Sequence, residues 1–302
     1  MSTLWGGGAG FDPEVAAYTT ADDRTWDARL LVWDVLGSIA HAQGLAAVGV
    51  LSPAEHVRIV KALRAALAAA RAGRLRVTAR DEDVHTAVER FLVGRLGATG
   101  EKIHTGRSRN DQVLVDMRLY VKDGLLSVVA EALGAAQVLC AFGRRHARVV
   151  FPGYTHQRRA MPSTVGVWAA GFAEGLLDDV GAILAAADLL DRSPLGSAAG
   201  FGVPLHLPRA AVARSLGFSG AQRNVTAVQA SRGKLEVVAL AALASCAIVT
   251  EAPRTKASRF RPPVPTRESA ISVLPCPGAK ACNPPSAKAM ARARSPKPRV
   301  MS

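Results

Sequence analysis

Through most of the first 250 positions apolar residues recur every three or four places, a period that predicts helices rather than strands. Ser52-Pro53-Ala54-Glu55 has the Ser-x-x-Glu spacing of a capping box with proline at the first helical position, and it predicts a helix over residues 53–72. Asp81 or Asp83 can cap a second helix, in which Val84, Val88, Phe91, Leu92 and Leu96 form an apolar face and Gly97 and Gly100 end it. A polar loop follows over residues 102–110. From Asp111 to about residue 146, the positions Leu114, Met117, Val121, Leu125, Val128, Ala132, Ala135 and Leu139 keep the same rhythm for roughly 35 residues, against a usual mean of about 12. A helix of that length needs partners along its flank.

A second loop, residues 151–162, precedes another long helical pattern over residues 163–190, where Ala169, Ala170, Gly171 and Ala173 permit close helix approach. A Gly- and Ser-rich loop spans residues 193–205, and residues 225–249, with Leu235, Val238, Leu240, Leu243 and Ile248, read as a fifth helix. No segment shows convincing β-alternation. The expected fold is all-α, an up-and-down bundle of long helices whose polar loops carry the chemistry. The expected divisions are an amino-terminal helical domain over residues 1–110, a central long-helix domain over 111–250 that is incomplete, and a basic tail over 251–302.

Charge sharpens the last boundary. The formal net charge is +14, a value that taken alone suggests nucleic acid or an acidic membrane as partner. Residues 251–302 hold 11 Lys and Arg against 2 acidic residues, a net of +9 that leaves +5 for residues 1–250. Ten of the 17 prolines also lie beyond residue 250, so the tail is expected to be disordered. It has almost no aromatic residue on which bases could stack, and nucleic acid is not expected as a partner. Cys140, Cys246, Cys276 and Cys282 show no metal-ligand spacing and are expected to be reduced thiols. The start of the chain has no basic-then-apolar leader pattern, and the apolar run 237–249 falls short of a bilayer span, so a cytoplasmic protein without membrane contact is expected.

Among candidate motifs, GATGEK (residues 97–102) lacks the Gly-Lys-Ser/Thr order of a phosphate loop, and Gly6-Gly7-Gly8-Ala9-Gly10 follows no strand. The string His104-Thr105-Gly106-Arg107-Ser108-Arg109-Asn110-Asp111-Gln112 is richer. It packs hydroxyls, two guanidinium groups and an amide ahead of a long helix, which is the donor set of a carboxylate site, although a plain helix cap would need only Asn110 or Asp111. Residues 152–162, with Tyr154, Thr155, His156, Arg158 and Arg159, place a histidine beside a hydroxyl and two arginines.

These two loops together resemble argininosuccinate lyases of the fumarase and aspartase superfamily. The resemblance extends to Leu4-Trp5-Gly6-Gly7, to Trp33 through Ala42 (WDVLGSIAHA), to Asp81 through Arg90 (DEDVHTAVER) and to Pro194-Leu195-Gly196-Ser197, and it covers residues 4–250 in order. It implies a reversible elimination that converts argininosuccinate to arginine and fumarate by acid/base catalysis, with no metal and no cofactor required. It also implies a homotetramer whose core is a bundle of long helices and whose active site draws on three subunits. By position, Asn110 and Thr155 match substrate-carboxylate contacts, Ser108 and Arg109 support the same loop, and His156 matches the acid/base histidine.

The resemblance stops near residue 250. The Gly-Ser-Ser-x-Met-Pro-x-Lys-x-Asn loop, whose serine is the favoured proton-abstracting base, has no counterpart; Ser269 through Pro275 with Lys280 and Asn283 lacks its spacing. The tail is therefore expected to be a frameshifted or replaced translation, and activity is expected to be impaired. Two alternatives stand beside this reading: another superfamily lyase releasing fumarate from a different adduct, or a non-catalytic subunit of a mixed lyase oligomer.

Overall fold

A computed structural model describes residues 24–251 apart from 79 and 80, together with the single positions Glu14, Tyr18 and Asp22. The Leu4–Gly7 motif and the basic tail lie outside the described residues. The chain divides near Thr255, and the described residues all belong to the first unit.

After a 3-10 turn, Ala28–Leu30, come α1 (Leu31–Ala47), α2 (Pro53–Arg71) and α3 (Val84–Leu96). Leu31, Val35 and Leu45 of α1 pack with Ile59 and Leu63 of α2 and with Val84, Val88 and Leu92 of α3 in one buried cluster. The α2 capping box is present as expected: Ser52 N–H donates to Glu55 Oε2 at 2.9 Å, and Glu55 N–H to Ser52 Oγ at 3.3 Å. Ser52→Ala is expected to lower stability by about 1 kcal/mol, the usual worth of such a cap, read as a shift in the urea unfolding midpoint.

α4 (Arg109–Arg145) is the 37-residue helix that the periodicity predicts. At about 1.5 Å per residue it is about 54 Å long. It starts at Arg109, two residues before the expected Asp111, because Ser108 caps it. Its carboxyl half packs against α5 (Val165–Leu190), where Leu125, Val129 and Ala132 meet Val180, Ile183, Ala187 and Leu190. At the turn between them a Cβ on Gly166 would lie 2.8 Å from Ala147 Cα, so only glycine lets the two backbones approach there.

Two expectations are corrected. Residues 151–162 are not an irregular loop but most of an antiparallel hairpin, β1 (Val150–Thr155) and β2 (Arg158–Thr164), with Val150 opposite Thr164 and Thr155 opposite Arg158. Almost every residue of both strands is exposed or half-exposed, so neither face needs apolar side chains and no alternation marks the sequence. The register slips at Gly153, where a Cβ would come within 2.9 Å of Met161 O. The fifth helix is in fact two, α7 (Val225–Ala230) and α8 (Lys234–Glu251), after a short α6 (Arg209–Ser215). Gly233, at φ 78°, breaks the pattern between α7 and α8.

Candidate active site

At the amino end of α4 the Ser108 side chain caps the helix, and Asp111 Oδ1 accepts from Ser108 N–H at 2.9 Å, completing a second capping box. The other oxygen of Asp111 reaches across the fold and accepts from Gly196 N–H and Ala198 N–H, both at 2.9 Å. This fully buried carboxylate therefore fastens the Pro194–Ser197 loop to the helix end. Ala198 is held at φ 49°, an unfavourable conformation for alanine, by the same contact.

Asn110 lies beside that junction. Its Nδ2 donates to Ser108 Oγ at 3.2 Å, and its Oδ1 accepts from Arg232 Nη1 at 3.0 Å. Arg109 is turned the other way. It donates from Nη2 to Glu82 Oε2 at 2.9 Å and from Nη1 to the same carboxylate, and its Nε lies 3.1 Å from Asp83 Oδ2. Burial alone would lower its pKa; the bonds to Glu82 and the charges of Asp83 and Glu82 outweigh that and raise it. In this arrangement Arg109 braces the loop against α3, while Ser108 and Asn110 remain at the helix end.

Beneath the loop lies a buried polar layer. Arg107 donates to Ser38 Oγ at 2.8 Å, and His41 Nε2 lies 2.9 Å from Thr105 O. Burial, with the charge of Arg107 added, brings His41 down to about 3, so its neutral ring donates to that carbonyl. His85 Nδ1 lies 2.7 Å from Asp34 Oδ1 and 3.8 Å from Asp116 Oδ2. By atom type Asp34, His85 and Asp116 could ligate a cation. The His85–Asp34 separation is that of a hydrogen bond, and the Arg107 charge already acts on both carboxylates. The group is better described as an ionic support for the loop.

Thr155 and His156 are elsewhere. They form the exposed tip of the hairpin beyond the carboxyl end of α4, where His156 and Gln157 adopt φ 50° and 64°, the left-handed pair of a tight two-residue turn. The helix between Asn110 and Arg145 is about 52 Å long. Even a fully extended run from Arg145 to His156, doubled back along it, spans only about 40 Å. One chain therefore cannot bring His156 to Asn110; the two loops sit at opposite ends of one rod.

In the sequence Asp111 figured only as a possible helix cap, and Arg232 and the Asp34–His85–Asp116 group had no assigned role. Ser108-x-x-Asp111 has the same spacing as the box recognised at Ser52, and it could have flagged Asp111. Arg232 had only the helix-breaking Gly233 as a signal.

A family model described as "Lyase" matches residues 13–251 of this chain. The chain belongs to this lyase family. Argininosuccinate lyase of Sorangium cellulosum is 50% identical over 239 residues, which are 79% of this chain and 56% of that relative. The argininosuccinate lyase of Thermotoga neapolitana is 41% identical over 237 residues, 78% of this chain and 60% of its own length. The chain thus spans about half the length of the curated relatives it matches. Among solved lyase structures, EDDS lyase in complex with formate is similar with a TM-score of 0.62 and 25% identity, over 76% of this chain and 46% of that one. A fumarate lyase:delta crystallin from Brucella melitensis, bound to cobalt, shares the fold with a TM-score of 0.63 at 19% identity, over 80% of this chain and 58% of its own.

Proposed function

We propose that this chain carries the amino-terminal part of an argininosuccinate lyase, acting in the cytoplasm on argininosuccinate and releasing arginine and fumarate. The observation that carries the reading is the 50% identity to a named argininosuccinate lyase, which spans both polar loops. The chemistry fits them. Removing a proton next to a carboxylate concentrates negative charge on that carboxylate, so neutral and cationic donors must be placed there before the reaction begins. Ser108 and Asn110 stand at the positive end of a 37-residue helix, and Thr155 with His156 supplies a hydroxyl and an acid/base group. The Gly-Ser-Ser serine has no counterpart in this sequence, so the chain by itself is expected to turn over slowly.

The separation of the two loops gives the assembly its logic. A second copy lying antiparallel along α4 brings its hairpin tip to the first copy's Asn110, and a homotetramer of long helices satisfies this for every chain. Exposed apolar residues on α4, α5 and α8, among them Leu126, Val138, Trp168, Leu177, Val237 and Leu240, supply the surface for that packing. Arg109–Arg145 is also long and apolar enough, by length and composition, to cross a membrane. Its buried Asp111, Asp116 and Arg118 favour protein partners over lipid.

Complementation tests the reading. The chain is mixed with a full-length argininosuccinate lyase disabled at its own Thr-His histidine, and fumarate release is followed by ultraviolet absorbance. Restored turnover is expected, and His156→Asn in this chain should reduce it about 100- to 1,000-fold. Mixed oligomers that form without any fumarate release would refute the proposal.

A further inference from the structure

Arg232 lies in the Ser231–Gly233 turn between α7 and α8, and its guanidinium meets the site at Asn110, where that of Arg109 is turned to Glu82 and Asp83. Arg109 is neutralised by Glu82 and Asp83, and Arg107 is buried on Ser38. Arg232 is exposed and makes no ion pair among the described residues; its guanidinium makes one hydrogen bond there, from Nη1 to Asn110 Oδ1 at 3.0 Å, while its backbone N–H donates to Gln229 O at 3.2 Å. That leaves four N–H donors and a full positive charge free. Its backbone is held from behind, where Ser231 Oγ accepts from Arg118 Nη2 at 3.3 Å and donates to Val228 O at 2.8 Å. The bond to Asn110 has a second effect. With Oδ1 occupied and one Nδ2 hydrogen on Ser108, the amide cannot flip, and the remaining Nδ2 hydrogen is left for an acceptor.

We infer that Arg232 is a carboxylate-binding residue of this site, taking one carboxylate of the fumarate half of the substrate together with Asn110; this rests on the lyase reading above. A guanidinium matches a carboxylate with two parallel hydrogen bonds, which the neutral donors of the loop cannot supply.

Equilibrium dialysis of the 302-residue chain against labelled fumarate is the test, with helix content checked by circular dichroism. The wild type should retain fumarate, Arg232→Gln should bind at least tenfold more weakly with a flatter salt dependence, and Arg232→Lys should fall between them. A merely positioning role would leave the salt dependence unchanged and overturn the assignment. Fumarate bound equally well by Arg232→Gln would overturn it while leaving the lyase reading intact. A wild type that retains no fumarate, with Asn110→Ala indistinguishable from it, would overturn both. Should Arg232→Gln fail to fold, Arg232→Lys decides: unchanged affinity and salt dependence refute the assignment, and weakened binding supports it.

Discussion

Asp111→Ala is expected to destabilise the chain by about 3–5 kcal/mol, because one buried carboxylate accepts from three backbone amides and the loss of a buried acceptor costs about 1–3 kcal/mol for each group left unpaired. The three donors come from two places: Ser108 N–H belongs to the helix cap, while Gly196 and Ala198 N–H belong to the loop fastened across it. Alanine leaves all three without this acceptor, and the bond lost from Gly196 N–H is a buried one. The loop has a second restraint in Arg209, which donates from Nε to Leu195 O at 3.1 Å and from Nη2 to Gln222 O at 3.0 Å. It is therefore expected to loosen at Ala198, where the left-handed strain relaxes, before it detaches at Leu195. Asp111→Asn keeps the shape and one acceptor oxygen, so its loss should be roughly half that of alanine on the same scale. Urea unfolding gives the two magnitudes, and hydrogen exchange at Gly196 and Ala198 gives the location. An alanine variant within 1 kcal/mol of wild type would show that water satisfies these amides, the buried one of Gly196 included.

What the sequence discloses follows from how local each signal is. The box at Ser52 and the long rhythm of α4 are short-range patterns, read directly because hydrogen bonding and side-chain period are fixed by neighbours three and four residues apart, and the unread box at Ser108 has the same spacing. The hairpin is different. Its strands bury little, so burial imposes no alternation, and the turn at His156 and Gln157 uses neither of the residues, Asn and Gly, that usually announce one. A histidine in left-handed conformation at a strand tip is a costly choice, the sort of strain that collects at functional sites. The break at Ser231–Gly233 was hidden by the helical propensity of the residues on either side, and Arg232 was hidden with it. Least legible of all was the buried layer under the loop. Asp34, His85 and Asp116 come from three helices and are brought together only by packing, so no window of sequence contains the group. The opposite placement of Asn110 and His156 is legible in principle, since it needs only the length of α4 and the position of the two loops on either side of it.

That buried layer leads to the second large effect, a pair of substitutions with opposite pH behaviour. Burial pushes the Asp34 carboxyl upward, but the charge and hydrogen bond of His85, with Arg107 beyond, bring it below the usual carboxylate range. Burial likewise pulls His85 down, and the charge and hydrogen bond of Asp34, helped by Asp83, more than restore it and raise it above an ordinary histidine despite Arg107. Asp116 is pushed well above the normal range, first by burial and then by the charge of Asp34, with Arg107 opposing and Asp27 adding to it. The layer therefore holds Asp34 ionised, His85 protonated and Asp116 neutral. A lowered carboxylate stabilises the fold above its unfolded pKa, about 3.9, and loses that contribution as pH falls through its folded value; a raised histidine stabilises fully below about 6.5 and loses its contribution as pH climbs through its folded value. The Asp34–His85 pair is thus strongest in mildly acidic solution. Asp34→Asn should cost on the order of 3–5 kcal/mol near pH 5.5, since it leaves a buried imidazolium without its counter-charge, and the cost should shrink as His85 deprotonates in more alkaline solution. Asp116→Asn does the reverse. The amide stands in for the protonated acid, so the variant should match wild type at and below about pH 4 and exceed it increasingly from there up to the raised pKa of Asp116, levelling off above it, because over that range wild type must hold a proton against the solution. Urea unfolding of both variants at about pH 5.5 and about pH 9 separates the two slopes. If Asp116→Asn loses stability relative to wild type on going to the higher pH, Asp116 is an ionised partner of His85 and Arg107 rather than a neutral one, and the support beneath the Ser108–Asn110 loop is a balanced set of two anions and two cations.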